Sequence, residues 1–323
     1  MIARRVLVTG ASGFVGRALV DELLRREVNV TAAVRRECAM PAAARVVRID
    51  DLGPHTEWAT ALEGCDAVVH CAARVHVMHE KAGNPLAAFR IANVAGSVRL
   101  AEQAIAGGVR RMVYLSSVKV HGERTEIDRP FTERDALVPT DPYGVSKAEA
   151  EEELRQVASG SEFDMVIIRP PLVYGPGVKA NFLSMARCLA RGVPLPFGAV
   201  TGNRRTLVAL DNLLDLVCTT LTHPAAAGQT FLAGDDEDLS TTELLRRTAH
   251  ALGTTAHLIP VPSSLLALGA AALGRRDLWQ RLGGTLQCSV AHARDRLQWC
   301  PIVTVDEGLR RAVASIGHAR SAR

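Results

Sequence analysis

The stretch that most restricts the fold of this chain is V-L-V-T-G-A-S-G-F-V-G at residues 6–16. An apolar run is followed there by Gly10, Gly13 and Gly16, and a helical pattern begins near Phe14. The first glycine permits a sharp turn, the second lets the backbone approach a pyrophosphate, and the third lets the helix pack on the strand. Glycine-rich turns also occur for packing reasons alone. Placed between a strand and a helix, however, these three glycines predict a dinucleotide site.

Short β-branched runs alternate with longer helical patterns through the first half of the chain. Strands are predicted at 6–9, 28–34, 45–49, 67–71, 112–116 and 165–169, and helices at about 14–26, 56–63, 85–107 and 143–159. This alternation predicts an α/β fold, with a doubly wound parallel sheet covered by helices on both faces. The second half is rich in turn residues and is expected to form a smaller lobe. The dinucleotide domain would then span 1–170, with 206–234 returning to it, and the substrate lobe would span 171–323.

Charge and cysteine content exclude some classes of protein. Lysine and arginine exceed aspartate and glutamate by only four (38 against 34), and aromatic residues make up 4%. A nucleic-acid surface normally needs a dense basic stripe with aromatics, so no nucleic-acid partner is expected. Seven cysteines without a C-x-x-C pair suit a reducing compartment, and a cytoplasmic location is expected.

Two further features favour ordinary structural roles. The apolar stretch at 265–274 is too short to span a bilayer, so no stable membrane insertion is expected. It is interpreted as a buried or interface helix in preference to one that rests on a membrane surface. His70, His76 and His79 have no carboxylate or cysteine at ligand spacing, so no metal is expected.

The end of the second predicted strand bears on the choice of cofactor. A site that prefers NAD usually has an acidic residue there for the adenosine ribose. This chain has Val34, followed by Arg35 and Arg36. An arginine can pair with a 2′-phosphate, so NADP(H) is favoured, while NAD(H) and a solvated pair of loop arginines stay possible.

A second group of residues suggests proton transfer. Tyr143 and Lys147 are four residues apart on a predicted helix and therefore share a face. Upstream, a predicted strand ends in Ser116 and Ser117. A neighbouring ammonium and an oxidised nicotinamide would both lower the pKa of a tyrosine, and a serine hydroxyl can hold a reacting oxygen. Ser117, Tyr143 and Lys147 are the candidate catalytic residues.

At these residues the chain resembles the extended short-chain dehydrogenase/reductases, in their sugar-nucleotide branch, over nearly its whole length. T-G-A-S-G-F-V-G at 9–16, H-C-A-A at 70–73, Asn93, the catalytic trio and R-P-P-L-V-Y-G-P-G at 169–177 carry the resemblance. It implies a Rossmann fold, with Tyr143 as acid/base, Lys147 on the nicotinamide ribose, Ser117 on the substrate oxygen and Ser116 in a structural role. It also implies that the cofactor is contacted by Ser12, Phe14, Val15, Asp51, Leu52, Ala72, Ala73, Asn93, Pro170 and Val173, in addition to the glycines.

The resemblance also implies a UDP-sugar substrate. Asn181 would touch its diphosphate and Arg205 would pair with a phosphate, although a turn asparagine and a surface arginine are open alternatives. The helices near 93–107 and 143–158 would form a homodimer through a four-helix bundle.

Three comparisons with members of the family narrow the choice of reaction. Ser117 is followed by Val118 and Lys119, which lack the Asp-Glu pair of dehydratases and the glutamate of decarboxylases. The retained Tyr143 separates the chain from many non-catalytic NADP sensors. The chain most resembles 4-keto reductases of UDP-4-keto-6-deoxy-N-acetylhexosamines in bacterial surface-polysaccharide synthesis. UDP-glucose or UDP-N-acetylglucosamine 4-epimerase is the alternative, and a non-catalytic sensor is the second alternative.

Overall fold

A computed structural model of the chain describes residues 5–75 and 84–317. The described residues form ten strands, numbered in chain order: β1 Arg5–Thr9, β2 Asn29–Val34, β3 Arg45–Arg48, β4 Ala67–His70, β5 Arg111–Leu115, β6 Asp164–Arg169, β7 Leu172–Tyr174, β8 Arg205–Ala209, β9 Thr230–Leu232 and β10 Asp238–Leu239. Seven of these strands form one parallel sheet in the order β3-β2-β1-β4-β5-β6-β9. The other three form a small sheet in the order β10-β8-β7.

Twelve α-helices accompany these strands in the described residues. They are α1 Phe14–Arg25, α2 Ala59–Leu62, α3 Pro85–Phe89, α4 Gly96–Ala106, α5 Pro142–Ala158, α6 Ala180–Ala190, α7 Leu210–Thr222, α8 Thr241–Ala251, α9 Ser263–Ala272, α10 Arg276–Gly283, α11 Ala291–Leu297 and α12 Val305–Gly317. A π-helical turn at Arg90–Ala95 joins α3 to α4, and short 3₁₀ turns lie at Val118–Val120 and Pro224–Ala226.

The large sheet is buried on both faces, as its apolar strands predict. Side chains alternate along β1, so Val6 and Val8 lie in one apolar cluster and Leu7 lies in another. Helices α1 and α7 contribute to the first cluster, whereas α4 and α5 contribute Leu100 and Leu154 to the second. Because β1, β4, β5 and β6 are parallel, their carboxyl ends lie along one edge of the sheet, where ligands of such folds bind.

The predicted α/β fold with a doubly wound parallel sheet is confirmed. The six predicted strands and the helix beginning at Phe14 differ from the structure by no more than one residue at either end. The helix predicted at 56–63 is shorter, and the one predicted at 85–107 is interrupted by the π-helical turn. Late in the chain, α7 packs on the large sheet and β9 joins it beside β6, whereas β8 pairs with β7 and β10.

The apolar stretch at 265–274 was expected to be a buried or interface helix. The prediction that the helix is buried is wrong. Helix α9 contains no buried residue, and its main contact is with α10. Across residues 5–75 and 84–317, no helix combines the length and the apolarity needed to cross a membrane.

Candidate functional site

The turn after β1 leaves no room for a side chain at Gly10 or at Gly16. Gly10 has φ +64°, and a Cβ there would lie 2.8 Å from the amide nitrogen of Ala72. A Cβ at Gly16 would lie 2.3 Å from the carbonyl oxygen of Gly10, and the amide of Gly13 donates to that oxygen at 2.8 Å. Both glycines are therefore required by close backbone approach.

Helix α1 begins beside this turn in a form that suits a phosphate. Gly13 precedes it in extended conformation, and no described side chain caps its first amides. Its first turn carries no acidic residue, so the positive end of the helix dipole is not offset locally. These features fit the pyrophosphate of a dinucleotide. The predicted neighbours Ser12, Phe14 and Val15 lie at this turn, with Phe14 and Val15 packed against the first core cluster.

His70 belongs to a chain of buried hydrogen bonds. Its Nδ1 lies 2.6 Å from the hydroxyl of Thr9, and its Nε2 lies 2.9 Å from the hydroxyl of Ser97. Ser97 in turn donates to the carbonyl oxygen of Asn93 at 2.6 Å. Burial, followed by the charge of Lys147, lowers the pKa of His70 to about 3, so the ring is neutral. No cluster of metal-ligand side chains occurs in the part of the chain that the structure describes, and His76 and His79 lie outside that part.

Asn93 connects the segment after β4 to α5. Its amide oxygen accepts from the backbone of Arg74 at 2.7 Å, and its amide nitrogen donates to the hydroxyl of Ser146 at 2.9 Å. Ser146 then donates to the carbonyl oxygen of Tyr143 at 2.8 Å. Asn93 lies in the π-helical turn, a distortion that often occurs at functional sites. The side-chain oxygen and nitrogen of this predicted cofactor contact are therefore both hydrogen-bonded within the protein.

Helix α5 carries Tyr143 and Lys147 into the site. Asp141 caps it by accepting from the amide of Gly144 at 2.6 Å, and Asp141 also pairs with Lys119. The ammonium of Lys147 is buried, where it donates to the carbonyl oxygen of Leu115 at 2.6 Å.

The same ammonium connects the helix to β5, the strand that leads to Ser117. It donates to the hydroxyl of Tyr114 at 3.1 Å and lies 4.2 Å from the centre of that ring. Ser117 is half-buried two residues after the end of β5, and its hydroxyl oxygen accepts from the amide of Lys119 at 3.3 Å. The predicted trio therefore lies at one edge of the sheet, with Ser117 on the loop after β5 and the other two residues on α5.

Burial controls the protonation of the two titratable groups of the trio. It lowers the pKa of Lys147 to about 7, while Glu151 and then Cys71 act in the opposite direction. Burial, followed by the Asp141 carboxylate, raises the pKa of Tyr143 well above 10.0. The lowered tyrosine pKa expected from the sequence requires both the ammonium and an oxidised nicotinamide, so it stays a prediction for the cofactor-bound protein. In the protein without cofactor, both burial and the nearby carboxylate favour the protonated phenol.

Sequence analysis missed a buried ion pair one helical turn beyond Lys147. Glu151 and Arg169 are both almost completely buried, and the Nη2 of Arg169 lies 2.5 Å from the Oε2 of Glu151. The hydroxyl of Ser116 donates to Oε1 of Glu151 at 2.5 Å, and Arg169 also contacts Nε2 of His121 at 2.8 Å. The signals in the sequence were a carboxylate four residues after Lys147 and an arginine that ends an apolar strand.

Two of the residues predicted to contact the cofactor form a surface pair. Arg35 and Asp51, both exposed, lie 2.9 Å apart from Nη1 to Oδ1, and Arg36 is exposed beside them. Leu52 packs under α4, where a Cβ on Gly96 would lie 2.7 Å from its Cγ.

The other predicted contacts are placed as follows. Ala72 and Ala73 are half-buried after β4, the carbonyl oxygen of Pro170 accepts from Val118, and Val173 packs against the first core cluster. Arg205 donates to the carbonyl oxygen of Gly284 at 3.1 Å, and burial lowers its pKa. It is therefore more enclosed than a surface arginine. Asn181 lies in α6, and its side chain falls outside the described structure.

Comparisons with known proteins agree with this geometry. A relative from Vibrio cholerae, named UDP-glucose 4-epimerase, is 41% identical over 318 residues, which cover 98% of this chain and 97% of the relative. The solved structure of UDP-glucose 4-epimerase with UDP-glucose from Thermotoga maritima has a TM-score of 0.76 at 20% identity, covering 99% and 100% of the two chains. RMD from Pseudomonas aeruginosa, complexed with NADPH, has a TM-score of 0.74 at 24% identity, covering 97% and 100%. These two structural likenesses concern the fold.

The model of one family matches residues 6–234, a span that holds the glycine turn, the buried hydrogen bonds and the trio. The chain belongs to the NAD dependent epimerase/dehydratase family.

Proposed function

We propose that the protein is an NAD(P)-dependent 4-epimerase of a UDP-sugar. The observation that carries this proposal is the similarity to the Vibrio cholerae UDP-glucose 4-epimerase along almost the whole of both chains. The relatives support a nucleotide-sugar enzyme, and they favour the epimerase alternative over the 4-keto reductase that we expected from the sequence. We further propose that residues 1–170 and 206–234 hold the dinucleotide and that 171–323 hold the sugar nucleotide.

The residues present fit a dinucleotide, because the turn at Gly10, Gly13 and the start of α1 allow close approach of a pyrophosphate. When bound, the nicotinamide supplies reversible hydride exchange with a sugar carbon. Tyr143 takes the proton of the C4 hydroxyl when that carbon is oxidised and returns it when the ketone is reduced. Ser117 would hold the C4 oxygen, and Lys147, on the same helix as Tyr143, would supply positive charge to the site and would contact the nicotinamide ribose.

The test is to incubate the purified protein separately with UDP-glucose and UDP-N-acetylglucosamine, without added reductant, and to resolve products by chromatography. We expect interconversion with the corresponding 4-epimer to an equilibrium mixture from either side. Failure with both pairs, while NADPH is oxidised by a UDP-4-keto-6-deoxy-N-acetylhexosamine, would establish the 4-keto reductase instead.

The reductase is retained as a second candidate because of one observation. Strand β2 ends at Val34 without an acidic residue, and Arg35 and Arg36 follow it. This favours a releasable NADP(H) over NAD(H), and a releasable cofactor suits a reductase that consumes one NADPH in each turnover. The exposed pair of Arg35 with Asp51 weakens the argument, since the carboxylate competes with a 2′-phosphate for the guanidinium.

Replacing Arg35 with alanine tests the cofactor preference. If Arg35 binds a 2′-phosphate, we expect a roughly tenfold to hundredfold loss of NADPH affinity, with NADH affinity nearly unchanged. Calorimetric titration of both cofactors measures the difference, and Arg129→Ala, at an exposed arginine paired with Glu126, is the control. Equal losses for the two cofactors would exclude 2′-phosphate recognition at Arg35.

We also propose a homodimer formed through α4 and α5. Val98 and Val145 are only half-buried within one chain, so each can bury further surface against a second copy. Sedimentation velocity at micromolar concentration should give the mass of two chains. A single species with the mass of one chain would contradict the proposal.

A further inference from the structure

Helix α9 presents an apolar face to solvent. Leu265, Leu268 and the following Leu273 are 57%, 67% and 77% exposed. Leu265, Leu268 and Ala272 share one face because they follow a spacing of three and four residues. The half-buried residues of α9 lie on the opposite side, and its main contact is with α10. A helix that faces only water would carry polar residues where these leucines are.

Basic residues follow this apolar face along the chain, at the start of α10 and within it. Arg275, Arg276 and Arg281 are exposed. Residues 263–283 contain these three arginines and one acidic residue, Asp277, and α9 itself has no charged residue. Apolar side chains flanked by arginines are complementary to an anionic lipid surface, where the leucines enter the acyl boundary and the guanidinium groups meet the headgroups.

We propose that α9 and α10, with Leu273 between them, form a docking surface for an anionic membrane. The ten residues of α9 extend only about 15 Å, so the helix lies in the interface and does not cross it. A second copy on this face is disfavoured, because it would bring a second set of the same arginines into one interface, whereas an anionic surface supplies the opposite charge.

Hydrogen bonds join the end of α10 and the residue after it to the beginning of β8 and to Asn203 before it. The carbonyl oxygen of Gly284, directly after α10, accepts from Arg205 at 3.1 Å, and that of Leu282 accepts from Asn203 at 3.4 Å. Docking would therefore hold the beginning of β8 close to the lipid surface. This inference does not depend on which reaction the protein catalyses.

Co-sedimentation of the full chain with vesicles tests the proposal. We expect the protein to sediment with phosphatidylcholine vesicles that contain phosphatidylglycerol, less with phosphatidylcholine alone, and less as ionic strength rises. Leu268→Glu together with Leu273→Glu should lower the affinity for the anionic vesicles more than about tenfold. Val46→Glu together with Ile302→Glu is the matched control, since it changes the charge equally at two exposed apolar residues elsewhere and should retain binding.

Circular dichroism should show that both double variants keep their helices. The proposal is overturned if the unmodified protein stays in the supernatant with anionic vesicles, or if the variants at Leu268 and Leu273 bind as well as it does. It is also overturned if those variants reduce the number of chains per particle in sedimentation without vesicles. That result would assign the face to a second copy of the chain.

Discussion

Replacing Tyr143 with phenylalanine is expected to reduce turnover by about 10²–10⁴-fold and to leave cofactor affinity nearly unchanged. The change removes only the hydroxyl, which in the proposed mechanism exchanges a proton with the C4 oxygen. The ring and its edge contact with Phe89, 6.1 Å between centroids, are retained. Turnover is measured on the UDP-sugar that proves to be the substrate, and cofactor affinity is measured by titration.

The chain provides its own control, because it has three tyrosines. Tyr174 is buried at the end of β7 in the small sheet and donates to Asp235 at 2.6 Å. Tyr174→Phe should lower stability by about 1 kcal/mol through the lost hydrogen bond, and folded enzyme should keep its turnover. If Tyr143→Phe turned over substrate as fast as the unmodified protein, Tyr143 would not be the acid/base.

Replacing Glu151 with glutamine is expected to lower the free energy of unfolding by about 3–5 kcal/mol. The change removes the charge that faces Arg169 and leaves that buried guanidinium without a carboxylate at 2.5 Å. Urea denaturation monitored by circular dichroism measures the difference. Glu63→Gln is the control, since Glu63 pairs with Arg45 at the surface and its loss should cost less than about 1 kcal/mol.

The effect should depend on pH with a definite sign. Burial acts to raise the pKa of Glu151, but hydrogen bonds and charge from Arg169 outweigh it and hold the pKa below 4.5. The stabilisation is therefore present at neutral pH and is lost as pH falls through that lowered pKa. The gap between the unmodified protein and Glu151→Gln should narrow in acid, and a gap that widens in acid would contradict the assignment.

The sequence by itself determined the fold class and the principal candidate site. Apolar strands between amphipathic helices require a parallel sheet with both faces covered, and the structure has that sheet. The glycine turn is local at Gly16, whose side chain is excluded by the backbone of Gly10, whereas the backbone that excludes a side chain at Gly10 is that of Ala72, after β4. Tyr143 and Lys147 share a helix, so their spacing alone places them together.

Only the tertiary structure decided which groups lose water, which charges pair and which surfaces are exposed. The pKa of Tyr143 rises because packing removes water from the phenol, and a spacing pattern contains no measure of desolvation. Glu151 and Arg169 meet because β6 lies beside β5 under α5, a contact between residues far enough apart that no periodicity reports it. Helix α9 is exposed because it packs mainly on α10, whereas its composition alone favoured burial. Local patterns specify elements and turns, but burial depends on which elements come to lie against each other.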